Sequence, residues 1–106
     1  MRTNPGQVEI AFEYSRHLGA KFIHGSVRIQ LNALQPYSFR SEAIWPVGRD
    51  YTDAVREEVE ATLLERVGSL SKISVVLKSI SFDPIESCAE GFRRATRAAI
   101  EASFSV

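Results

Sequence analysis

Gly25-Ser26-Val27-Arg28-Ile29-Gln30-Leu31-Asn32-Ala33-Leu34-Gln35-Pro36 is the stretch whose reading decides the architecture of this chain. Val27, Ile29 and Leu31 alternate with Arg28, Gln30 and Asn32. A strand points successive side chains to opposite faces, so the alternation predicts a strand with one apolar and one polar side. Proline has no amide to give to a ladder, and Gln35-Pro36 therefore predicts a turn. A sheet wetted on one face only is what such a strand requires, and antiparallel sheets supply it.

Upstream, Val8, Ile10, Phe12 and Tyr14 repeat the period of two against Glu9 and Glu13, giving a first strand. Residues 1–7 read as a flexible lead-in to a single domain over 8–106, and His17 to His24, with Gly19 inside it, reads as the loop between the first two strands. Downstream, Tyr37, Phe39, Ala43 and Trp45 share one face of a third strand that Pro46 and Gly48 stop. Asp50 is placed to cap a helix, with Asp53 adding favourable charge at its start. Tyr51, Val55, Val59, Thr62, Leu63 and Val67 form its apolar stripe, and Gly68 closes it. Ile73, Val75 and Leu77 begin a fourth strand, but Val76, Ile80 and Phe82 fall on the other parity, which predicts a bulge or burial on both sides. Asp83-Pro84 ends it, and a second helix from about Ser87 to Phe104 buries Cys88, Phe92, Ala95, Ala99 and Ala102. The expected fold class is α+β: a two-layer, four-stranded, mostly antiparallel sheet with two helices on its apolar face, in the order βββαβα.

Composition narrows the function classes. The chain has 106 residues, enough for one domain with one core, and its 44% apolar content is that of a globular protein. Thirteen basic residues balance thirteen acidic ones, so no overall field draws it to nucleic acid, and any RNA contact must use a local patch. Met1 to Gly6 has no signal-peptide apolar region and no apolar run approaches the ~18 residues of a membrane span. With a single cysteine, Cys88, this gives a cytoplasmic expectation and no membrane partner.

Catalysis finds no support in the motifs. Neither GxxxxGK[ST] nor GxGxxG occurs, so no phosphate-cradling loop for a nucleotide is expected. His17 and His24 are the only histidines and lack metal-ligand spacing with Cys88, so neither metal nor other cofactor is expected. Asp50, Asp53 and Glu57 lie along one edge of the first helical turns, where dipole compensation accounts for them. The densest basic cluster is Arg93, Arg94 and Arg97 on the outer face of the second helix. These could grip phosphate, but Glu90 and Glu101 stand four residues away from Arg94 and Arg97. Glu57, Glu58, Glu60 and Glu65 on the first helix offer further partners, and a solvated ion-pair face is the favoured reading.

Three patches in order, over about four fifths of the chain, resemble domain IV of the elongation factor G family of translational GTPases. Gly25 to Ile29 and Leu34-Gln35-Pro36 are similar to its "YGHVVI…PLEP" strand, and Asp50 to Val55 to its "EYIPAV". Glu86 to Phe104 is similar to its "DSSELAFKLAASIAF" helix. The resemblance implies the fold of ribosomal protein S5 domain 2, with a left-handed strand–helix–strand crossover against the usual right-handed rule. It implies a working tip, built from the first interstrand loop and the loop before the last helix, that meets ribosomal RNA. At that tip Asp83 stands where the family has a histidine, and Pro84 follows. The candidate RNA or partner contacts are then Arg16, Lys21, Asp83, Arg93, Arg94 and Arg97. The functional expectation is a non-catalytic ribosome- or RNA-associated module. The alternative is a self-associating protein-interaction domain without ribosome contact.

Overall fold

The structure, a computed structural model, describes residues 6–70 and 72–104. Its elements run β1 (Gln7–Leu18), β2 (Lys21–Ala33), β3 (Ser38–Ser41), α1 (Thr52–Val67), β4 (Ile73–Ser81) and α2 (Ala89–Ser103). They form an α+β fold in the expected order, with one four-stranded sheet ordered β1-β2-β4-β3. The pairs β1–β2 and β2–β4 are antiparallel, whereas β3 lies parallel to β4 and reaches it through α1. Met1 to Pro5, most of the expected lead-in, lie outside the described residues. Gln7 already pairs with Asn32, so β1 starts one residue earlier than expected.

The apolar stripes meet in one layer. Val27, Ile29 and Leu31 of β2, Val75 and Leu77 of β4, Val55, Val59 and Leu63 of α1, and Phe92, Ala95, Ala99 and Ile100 of α2 form one buried cluster. Phe92 is fully enclosed, a burial worth about 1.5–3 kcal/mol relative to exposure. Around it Trp45, Tyr51 and Phe82 stand with ring centroids 4.9, 5.9 and 5.8 Å away. The parity change in β4 is a bulge: Arg28 pairs with Ser79 but Ile29 pairs with Leu77, leaving Lys78 as the extra residue. That extra residue lets Leu77 and Ile80 both face the core side despite a spacing of three.

Four local expectations change. The stretch from His17 to His24 is not a loop: β1 and β2 continue to Leu18 and Lys21, and only Gly19 and Ala20 turn, Gly19 at φ 66°. Glycine at the first turn position suits a tight hairpin, so the ladder extends as far as the pairing allows. The third strand is short, because after Ser41 only Glu42 still bonds back to β4, and Ala43 donates instead to the Ser41 hydroxyl. Ala43 and Trp45 nevertheless pack against the core, while Phe39, on an edge strand, is only partly buried. At α1 the N-cap is Tyr51, and the Asp50 carboxylate accepts from the Thr52 amide at 2.8 Å. Gly68 closes α1 in the left-handed region, and Val67 beside it is half exposed. α2 begins at Ala89, two residues later than expected, because Ser87 is held against β2.

Candidate functional site

The hairpin gives the molecule its shape. Thirteen residues of β2 at about 3.3 Å each span roughly 40 Å, matching the longest dimension of 42 Å. Its end carries cations and rings together. The Arg16 guanidinium lies 5.8 Å from the centre of the Tyr14 ring, and His17 meets Phe22 edge-on with centroids 4.2 Å apart. Lys21 opens β2 and is exposed. Among the described residues, neither Arg16 nor Lys21 has a carboxylate within ion-pair distance.

Below this end, a polar network fastens the hairpin to the segment before α2. His24 is buried; its Nδ1 is 2.7 Å from the Ser87 hydroxyl and its Nε2 is 2.8 Å from a Glu13 carboxylate oxygen. The Asp83 amide donates to the Ser87 oxygen at 2.8 Å. The network assigns the roles: the Ser87 hydroxyl donates to Nδ1, and Nε2–H donates to Glu13. Serine, histidine and carboxylate in line invite a nucleophilic reading. Ser87 is 2% exposed, however, and its hydroxyl both accepts and donates within the fold. The arrangement is a clamp. No residue of it, apart from Asp83, was legible as a site, because Ser87 and His24 are 63 positions apart and no local motif joins them.

Backbones touch at the same place. A Cβ on Gly91 would overlap the His24 carbonyl oxygen, and one on Gly25 would overlap the Gly91 carbonyl carbon. Only glycine at both positions lets α2 rest on β2. Asp83 works inside this clamp and does not project as a free anion. Its carboxylate accepts from the Glu86 and Ile85 amides at 2.9 and 2.8 Å, and these bonds hold its pKa below the usual range. Arg49 completes the turn by donating to the Pro84 and Ser87 carbonyls, with its guanidinium 4.8 Å from the Phe82 ring centre.

The arginine face of α2 is matched by α1. Arg93 pairs with Glu57 at 3.1 Å, and Arg97 with Glu58 at 2.9 Å, Glu65 at 2.5 Å and Glu101 at 3.4 Å. Arg94 pairs with Glu90 at 2.6 Å and donates to the Tyr14 hydroxyl at 2.7 Å. These partners push the Arg94 and Arg97 pKa values up and that of Glu65 down. Thus Arg16 and Lys21 both lie at the hairpin end, Asp83 sits in the turn beneath it, and Arg93, Arg94 and Arg97 form a separate interhelix network. No group of three or more His, Cys, Asp or Glu positioned for a metal occurs among the described residues, and no helix there is long and apolar enough to cross a membrane.

Comparison with known proteins gives a fold and little more. No family model matches the chain, and no curated protein matches it. Among solved structures, a crystal structure of a Thermus thermophilus protein superimposes with a TM-score of 0.79 at 17% sequence identity. The match covers 91% of this chain but only 15% of that protein. At this identity the likeness speaks for a shared α+β fold alone.

Proposed function

We propose that this chain is a non-catalytic binding module that presents the end of its β1–β2 hairpin to RNA. The resemblance to the elongation factor domain makes ribosomal RNA the first substrate class to consider. The observation that carries the reading is the contrast between two sets of cations. Arg16 and Lys21 have no carboxylate partner among the described residues, whereas Arg93, Arg94 and Arg97 are engaged by glutamates. The Arg16 and Lys21 charges on one face of the hairpin end, with the His17 and Phe22 rings on the other, supply what an unpaired nucleotide recognises, namely charge for phosphate and a face for a base. A neutral chain relying on two or three such groups binds weakly and with steep salt dependence.

Ribosome co-sedimentation at about 50 and about 200 mM salt tests this, because that range separates phosphate-dominated binding from the rest. Association at the lower salt, lost at the higher, is expected. Arg16→Gln with Lys21→Gln should weaken it several-fold, and Arg93→Gln with Arg97→Gln should leave it unchanged. No association at the lower salt, or association indifferent to Arg16 and Lys21, overturns the reading.

A further inference from the structure

We propose that β1 is the docking edge for a second copy of this chain, the two β1 strands pairing antiparallel about a two-fold axis at Phe12. The inference stands apart from the RNA reading. β1 is the outer strand of the sheet and runs for 12 residues, more than twice a typical strand. Natural sheets blunt such edges with proline, lysine, bulges or shortness, and Gln7–Leu18 contains no proline or lysine and pairs with β2 without a register shift.

The register follows from the hairpin. Its two-residue turn makes Leu18 and Lys21 the flanking hydrogen-bonded pair, and the alternation of an antiparallel ladder carries that down the strand. Even-numbered residues of β1 then bond to β2. The amides and carbonyls of Gln7, Glu9, Ala11, Glu13, Ser15 and His17 point away from the sheet. A second β1 that bonds to these groups keeps each face continuous, helix side with helix side.

Charge selects among the symmetric alignments. With Ala11 on the axis, Glu9 of one copy faces Glu13 of the other, and with Glu13 on the axis this glutamate faces itself. Like charges directly opposite are destabilising. With Phe12 on the axis, Glu9 faces Ser15, Ala11 faces Glu13 and Gln7 faces His17. On the helix side Phe12 then meets Phe12, Ile10 meets Tyr14 and Val8 meets Arg16. Axes nearer either end pair fewer residues. Phe12 is 38% exposed in the monomer, although its ladder partner Val27 is buried. The favoured alignment covers that ring.

The test uses the whole chain in sedimentation equilibrium at about 100 µM. A mass twice 11.8 kDa is expected. Ala11→Pro should give monomers with an unchanged far-UV spectrum, since the amide it removes faces outward and bonds nothing in the monomer. In a Cys88→Ser background, Phe12→Cys should oxidise to a disulfide-linked dimer. Facing residues of a non-hydrogen-bonded pair stand about 4.5 Å apart at Cα, within bridging range. Ile10→Cys in that background should not cross-link, because it faces Tyr14. A monomer at that concentration, a dimer that survives Ala11→Pro, or equal cross-linking from Ile10→Cys each overturns the proposal. Capture of a foreign extended peptide by a chain that stays monomeric overturns it as well.

Discussion

Gly91 sits inside α2, where alanine is ordinarily the better residue by about 1 kcal/mol. Contact with β2 reverses that sign. A methyl at Gly91 would overlap the His24 carbonyl, which is held by the hydrogen bond it accepts from the Cys88 amide. Gly91→Ala should therefore destabilise the fold by at least about 3 kcal/mol, in the range of severe overpacking, as read from the shift in urea midpoint. A stabilised or neutral variant would show that α2 does not rest on β2. Asp83 offers a pH test. Its folded pKa lies below the ordinary carboxylate value, so its contribution is full above the unfolded pKa of about 3.9 and is lost as pH falls through the lower folded value. Asp83→Asn should flatten the loss of stability between about pH 5 and about pH 2, and an unchanged acid limb would show that the turn does not depend on this carboxylate. Neither glycine contact nor carboxylate turn is visible in a periodicity, because each depends on a partner from another part of the chain.

At the scale of elements, the bulge in β4 explains a pattern that simple alternation does not. Leu77 and Ile80 share the core side only because Lys78 is extra. Deleting Lys78 restores strict alternation, with Leu77, Ile80 and Phe82 still inward, so this shortened protein should fold with a cooperative thermal transition. Deleting Val76 should not be tolerated, since Leu77 would turn outward and Lys78 inward. Equal tolerance of the two deletions would mean that the bulge slides freely. The parity break was readable in the sequence, and so were both helices, since their apolar stripes repeat at helical spacing. The hairpin was not read correctly. Gly19 looked like the centre of a loop, yet two residues suffice for the turn, and the ladder bonds of Leu18 to Lys21 and Arg16 to Ile23 are backbone bonds that no side-chain pattern announces.

The whole molecule has one layer of core, and Trp45, its only tryptophan, lies where strands and helices meet, next to Tyr51, Phe82 and Phe92. Tryptophan fluorescence and far-UV dichroism should therefore report one coincident transition in guanidinium, whereas separated midpoints would divide the sheet from the helices. The sequence by itself determined the class of this protein. Period-two and helical stripes specify which face of each element is apolar, and burying those faces leaves few arrangements of four strands and two helices. Only the tertiary structure decided which charges remain available. Arg93 and Arg97 were the densest cations along the chain and read as an ion-pair face, and α1 does bring Glu57, Glu58 and Glu65 against them. The same packing placed Glu13, His24 and Ser87 in one clamp and left Arg16 and Lys21 at the far end of the hairpin. Charge pairing across a fold acts over a few ångströms of space, and the separation of residues along a chain does not encode that distance.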